Sequence, residues 1–599
     1  MTQAKAVSID DGQGTNEGNI YLWNAYGLVS NSQGSANANR IVNNADATIE
    51  VNGGAAMVDN KGGEQVQIRN DGTLTVNSGA GILVGEDSKT GTTFVTTNGT
   101  IIAQDGAQAI KVETGDKRVD VKFEKNSVTN GVISVAANAT GINQTSLTFQ
   151  GVGEKSYELD ASYLNAVNVS DSNLEFTNAQ DELTLANLDL TDSTVQFDKS
   201  EDQNALNVIV EDVNLHGESD IAFGEGVGAT FKQDWGTGQD KNDQYDTLVV
   251  GSAENKVTYT NNGSVGANTI DVFNGTYLNE ALSKTNFAMT NARDLVVRSA
   301  GKLENMGMMS VSGTTTFEDG ATLTNKKKSD VAASGIFETK SLQSSADVIN
   351  EGRFTVKGES TFSESATFRN EATGEAKFGG LTTIAGSAAV ANNGGQLTMA
   401  SVTGDGAVHN VKGTLTFSDG SEVSAQVQNS AELVASNLTM QQKGHLGNIG
   451  TATLSGNLSV ADGATVDNKG QIDIGQDLLV SGQFTNEGIA TIKGLTSVDG
   501  AFAFENAEKA VIDGQDINVS TNSVYQNRGT ANWNSASISG TADNQGNETY
   551  ADYKLAASGA QTNTGTQTMT TAAIEGGYVN DGELGVTDTL TVGVVDQPS

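Results

Sequence analysis

Apolar and polar residues alternate in short runs along the chain, and the runs recur at a fixed interval. Between Asn448 and Asn468 three apolar pairs stand out, Ala452/Leu454, Leu458/Val460 and Ala464/Val466, each with a polar residue between its members. A period of two predicts β-strands with one face buried. Ser455-Gly456 and Asp462-Gly463 separate the pairs and predict turns. Three strands and three turns within about 20 residues leave no room for a helix in the repeat, so the segment reads as one coil of a parallel β-helix.

The interval is marked by asparagine. Val466-Asp-Asn468-Lys-Gly470, Phe484-Thr-Asn486-Glu-Gly488 and Tyr525-Gln-Asn527-Arg-Gly529 share the pattern apolar-x-Asn-x-Gly, as do the segments around Asn305, Asn350 and Asn448. Looser copies lie at Asn325, Asn370, Asn393, Asn410, Asn429, Asn506, Asn544, Asn563 and Asn580, for a mean spacing of about 20 residues. A period in this range signals a solenoid. The asparagines are expected to occupy tight corners, where left-handed backbone is tolerated, and to stack their amides along the axis. The glycine two positions on is expected to relieve the next corner. The predicted fold is all-β, a single-stranded parallel β-helix with three short strands and about 20–25 residues per coil.

Three regions differ in regularity. Residues 1–150 show the same grammar at wider spacing, in Val42-Asn-Asn44, Ile68-Arg-Asn70, Thr97-Asn98-Gly99 and Val128-Thr-Asn130. Within them Asp116–Lys125 reads as an outward strand face carrying solvated charges. Residues 151–300 keep strands but lose the asparagine corner, as in Leu183–Phe197. Residues 301–599 carry the regular ladder.

The middle region also contains a polar run, 231–246, predicted to protrude as a loop. Its Trp235 and Tyr245, ringed by Asp234, Asp240, Asp243 and Asp246, offer flat apolar faces and hydrogen-bond acceptors to a sugar or protein partner. A loop insertion whose Trp235 packs back on the column is the competing reading.

Composition narrows the function. The chain has 599 residues and a net charge of −39, which repels phosphate backbones and excludes nucleic acid as a partner. There are 70 glycines, one proline and no cysteine. Proline scarcity fits strands bonded on both sides, and the lack of cysteine excludes disulfides and thiolate chemistry. Three scattered histidines, and the absence of a Gly-x-Ser-x-Gly elbow, a P-loop or a calcium loop, give no catalytic constellation, cofactor or metal site. Carboxylates fall mostly in turns beside glycine, as at Asp319, Asp419, Asp462 and Asp499.

The corners Asn448-Ile-Gly450, Asn468-Lys-Gly470 and Asn486-Glu-Gly488, with the intervening Leu-Ser-Val-Ala-Asp-Gly-Ala-Thr-Val-Asp, resemble the passenger domains of Gram-negative type V autotransporters, the pertactin-like and adhesin-type group. The resemblance implies a right-handed β-helix displayed on the cell surface or released outside the cell. It implies adhesion, aggregation or biofilm formation through a host or matrix glycan or protein, or a sister-cell passenger. A translocator barrel is expected but is not in this chain, no signal peptide is evident, and the Gly-Asp-Ser-Gly-Ser motif of the protease subgroup is absent. The expected function is therefore a non-enzymatic surface adhesin. The alternatives are a structural filament subunit stacking end to end through homotypic contacts, and a polysaccharide-active enzyme on the same fold.

Overall fold

The computed structural model describes residues 4–593 apart from 10–11, 32–38, 62–64, 89, 105, 202, 212, 217–218, 225–226, 232–246, 251–256, 262–263, 281–287, 329–333, 364 and 502. Every regular element among them is a β-strand, and the strands pair in parallel from coil to coil, as a β-solenoid. The chain divides into two compact units, Met1–Ser312 with Lys328–Ser334, and Gly313–Lys327 with Gly335–Ser599.

The second unit follows the sequence pattern closely. The coil from Asn448 contains strands Thr451–Leu454, Leu458–Val460 and Thr465–Asn468. Ala452, Leu454, Leu458, Val460, Ala464 and Val466 are all buried, while the intervening Thr453 and Asp467 are not. Each strand pairs with its counterpart one coil on, so Val466 lies between Leu446 and Phe484. Identical positions thus stack into apolar columns. Where the column is aromatic the rings stack too, with Phe337 and Phe354 4.8 Å apart and nearly coplanar, a spacing set by the distance between hydrogen-bonded strands.

One column is made of amides. Asn325, Asn350, Asn370, Asn392, Asn410, Asn429, Asn448, Asn468, Asn486, Asn506, Asn527, Asn544 and Asn563 are fully buried. Each Nδ2 donates to the Oδ1 of the next, over 2.6–2.9 Å, ending on the exposed Asn580. Successive members are 17 to 25 residues apart in sequence. The same amide reaches backbone as well: Asn468 Nδ2 donates to Gly470 O at 3.3 Å and Ile489 O at 2.9 Å. The Gly488 N–H donates back to Asn486 Oδ1. Buried amide groups are thereby satisfied within and between coils.

Three expectations need correction here. The ladder runs through Asn392, not Asn393. Val390-Ala391-Asn392-Asn393-Gly394 fits the apolar-x-Asn-x-Gly pattern at Asn392, and a register shift then turns Asn393 outward to donate to Glu371. The ladder asparagines are not left-handed corners. They lie in strands, most of them at the last position, and among the described residues the non-glycine positions with positive φ are Asn24, Asp171, Asp192, Lys443, Lys509 and Asn522. Nor does the glycine two positions on serve φ, Gly394 with φ +149° excepted. A Cβ on Gly470 would lie 2.0 Å from Gly450 O, and one on Gly488 2.1 Å from Gly470 O. Glycine is required because successive coil backbones touch at that point.

The first unit carries two further ladders. Asn261 donates to Asn279 and Asn279 to Asn305, at 2.9 and 2.7 Å. Upstream of Asn261 the same register position holds Phe223, Phe197, Phe176 and Tyr157. Asn16, Asn43 and Asn70 form the other ladder, each bond 2.9 Å long. It passes to Thr97, then to Phe123 and Phe149, whose rings stack at 4.6 Å. Asn44, Asn98 and Asn130 lie outside it: Asn43 and Thr97 take the buried positions, and Asn130 is exposed beside Ile102.

Asp116–Lys125 is not simply a solvated face. Alternation begins at Arg118, and Lys117 precedes it at the turn into the interior. Lys117 and Asp59 are both fully buried, with Nζ and Oδ2 2.6 Å apart. Ser88 donates to the same Oδ2 at 2.7 Å, and Lys117 Nζ is 2.7 Å from Ser88 Oγ. Three coils are thus joined by one buried ion pair.

Two outcomes follow. Asn468→Ala removes one accepted and three donated bonds from a dry interior. It should destabilise the second unit by about 2–4 kcal/mol, whereas Asn580→Ala, at an exposed position, should cost under about 1 kcal/mol. Urea midpoints of the two variants measure the difference, and equal shifts would contradict an interior stack. Lys117→Ala strands the Asp59 carboxylate and should cost about 3–5 kcal/mol. Replacing both partners by apolar residues should recover most of that, as read by the same titration; no recovery would contradict the ion pair.

Candidate functional site

Of the predicted 231–246 loop, Phe231 ends the strand Val227–Phe231, and 232–246, with Trp235, Tyr245, Asp234, Asp240, Asp243 and Asp246, lie outside the described residues. The strand before it, Val227–Phe231, and the one after, Thr247–Val250, both pair into the solenoid.

Exposed aromatic side chains instead gather on the first described coils. Strand Asn19–Ser30 alternates, burying Leu22 and turning Tyr21 and Trp23 outward, 67% and 74% exposed. Two positions along one strand separate their Cα atoms by about 6.6 Å. Strand Thr48–Asp59 brings Glu50 beside Tyr21 and Asn52 beside Trp23. Neighbours in register on one face interact directly. One coil on, Asn77 Nδ2 donates to Glu50 Oε1 at 3.0 Å and to Asn52 Oδ1 at 2.9 Å, fixing both acceptors.

Backbone geometry bounds this strip. Asn24 has φ +50°, and Gly53 and Gly79 also have positive φ, so successive coils turn away together after Trp23 and Asn52. A Cβ on Gly53 would lie 2.3 Å from Asn24 Oδ1. On the other flank, strand Ala4–Ile9 pairs only with Ala25–Ser30, leaving Asn19–Trp23 bonded to a described strand on one side alone. Immediately before the strip the corners form a groove of about 600 Å³, lined by Glu17, Asp46, Asp71, Arg69, Asn44 and Asn98. Glu17 and Asp46 are exposed, and Arg69 is held by Asp71 at 2.8 Å and Glu124 at 3.4 Å.

A second, larger groove of about 1040 Å³ is lined by Glu158, Glu175, Asp198, Lys199, Glu201 and Gln203. Partial burial, and then Glu175, raise the Asp198 carboxyl above its ordinary range, against a hydrogen bond from Gln196 that lowers it. Lys199 Nζ donates to Gln203 O at 3.0 Å. The arrangement can attract cations. Among the described residues no group of three or more His, Asp or Glu could hold a metal ion. His409 and His445 sit within strands, not turns, and His445 Nδ1 is 2.7 Å from Thr465 Oγ1.

The second unit holds a polar cluster inside its core. Glu548 is buried, and Gln567 Nε2 donates to its Oε2 at 2.9 Å. Trp533 Nε1 donates to the buried Tyr525 hydroxyl at 3.2 Å, and Tyr553 to Gln561 at 2.9 Å. Burial pushes the Glu548 carboxyl up to about 7; the Tyr550, Tyr525 and Gln567 side chains oppose this and Asp543 adds to it. The buried hydroxyls of Tyr525, Tyr550 and Tyr553 are raised, first by burial and then by Glu548. Glu548 and Tyr550 stand where neighbouring coils carry Ala531 or Met569, so the cluster replaces core.

The class defined by these features is a parallel β-solenoid with an acidic exterior and an aromatic strip. No family model, no curated protein and no solved structure matches the chain.

The Glu548 environment fixes a pH dependence. Its folded value lies above the unfolded one, so the folded state holds the extra proton. The stability this gives is complete below about pH 4.5 and is lost as pH rises towards 7. Between pH 4.5 and 8 the second unit should lose on the order of 3 kcal/mol from this group. Glu548→Gln should flatten the dependence in urea unfolding; an unchanged pH profile would contradict the assignment.

Proposed function

We propose that the chain is an adhesive β-solenoid displayed on a Gram-negative cell surface, of the type V autotransporter passenger kind. The observation that carries the reading is the strip of Tyr21, Trp23, Glu50 and Asn52: two outward aromatic rings with immobilised acceptors beside them, on a rigid parallel-strand face. Aromatic anchors with fixed polar neighbours suit contact with sugars or protein side chains. The repeating interior of stacked coils supports a scaffold role and leaves specificity to the outer face. A net charge of −39 adds solubility and selects against anionic partners. The 232–246 loop remains part of the proposal as a second contact element.

A self-assembling filament subunit is the second reading. Sedimentation at rising concentration separates the two, since end stacking gives open polymers.

Beads coated with the protein should attach to immobilised matrix glycans or to cells, while remaining monodisperse in suspension. Failure to attach to any such surface would overturn the adhesive reading, and bead clumping without attachment would favour the filament.

A further inference from the structure

Tyr21 and Trp23 lie among carboxylates. Glu50 is in register with Tyr21, and its Oε1 is held by Asn77. Glu17 and Asp46 stand two residues before Asn19 and Thr48, which pair with each other, so the acidic corner adjoins the aromatic strip. The one cation lining that corner groove, Arg69, is already bound by Asp71 and Glu124. The surface therefore presents ring faces and negative charge together and has no free positive group among those named.

Those two properties select one chemistry. A ring face attracts cations through its quadrupole and also stacks on the apolar face of a pyranose. A carboxylate beside it pairs with an ammonium group and accepts from hydroxyls. A neutral sugar would use the stacking and hydroxyl hydrogen bonds but form no ion pair, and an anionic sugar would be repelled. Resting on the adhesive reading above, we propose that the Tyr21–Trp23 strip binds a glycan with free amino groups, a polymer of unacetylated or partly acetylated hexosamine, laid along the strand with an ammonium group at Glu50.

A hexamer of β-linked glucosamine is the probe, titrated calorimetrically into the full chain, with the fully N-acetylated hexamer and oligogalacturonate as comparators. The glucosamine hexamer should bind, weaken as salt rises, and exceed the acetylated hexamer; oligogalacturonate should not bind. Trp23→Ala should weaken binding roughly ten-fold or more, and Glu50→Gln several-fold with loss of the preference for free amines. Both positions are on the outer face, so circular dichroism and urea midpoints should stay at native values, which separates a lost contact from a lost fold. Absence of binding by the glucosamine hexamer, or equal binding by Trp23→Ala, would overturn the inference. If beads still attach when Trp23→Ala is introduced, the adhesive reading stands and this strip is not its contact; if native beads attach nowhere, the adhesive reading itself has failed.

Discussion

The second unit depends on a single repeated interaction, the amide-to-amide hydrogen bond between asparagines of successive coils. A carboxamide both donates and accepts, so a stack of identical amides can satisfy itself without limit in length. A charged side chain cannot do this, and a hydroxyl has one donor where the carboxamide has two. The bond also fixes register. A one-residue slip would expose the amide and bury its polar neighbour, reversing the inside and outside of every strand in that coil. The touching glycines follow from the same constraint, because bringing the amides to 2.6–2.9 Å brings the adjacent backbones together as well.

Aromatic stacking is the other way of filling the position. In the first unit the column at Asn261 continues as Phe223, Phe197, Phe176 and Tyr157, and the ladder at Asn70 passes through Thr97 to Phe123 and Phe149. A flat ring, like a flat amide, repeats at the spacing between strands. Amide and ring are the two planar groups that stack on their own kind in these columns, with Thr97 standing between them in one. Where an ionisable group enters the interior it is matched locally, Glu548 by Gln567 and Lys117 by Asp59.

What could be read from the sequence follows this division. The coil from Asn448 to Asn468 was legible strand by strand because period two and period twenty reinforce each other there. Asn392 was not separable from Asn393 by spacing alone; the apolar-x-Asn-x-Gly pattern selects Asn392, and the register shift after it turns Asn393 outward. The phenylalanine columns carried no motif, because phenylalanine is an ordinary core residue until its register partners are known. Lys117 read as solvated because alternation cannot show that a turn dips inward. The site was less legible than the fold. Trp235 and Tyr245 stood out by composition, yet Tyr21 and Trp23 became a candidate only when strand pairing placed Glu50 and Asn52 beside them.

Native-state hydrogen exchange across the full chain tests the ladder most directly. Strand-closing segments around Asn410 to Asn544 should be the most protected in the second unit, with protection falling towards Asn563 and Asn580, where the stack meets solvent. The Gly488, Gly529 and Gly546 amides, which donate to ladder oxygens, should exchange with the slow group. Protection that is uniform along the coils, or greatest at the exposed end, would contradict a fold held in register by its buried amides.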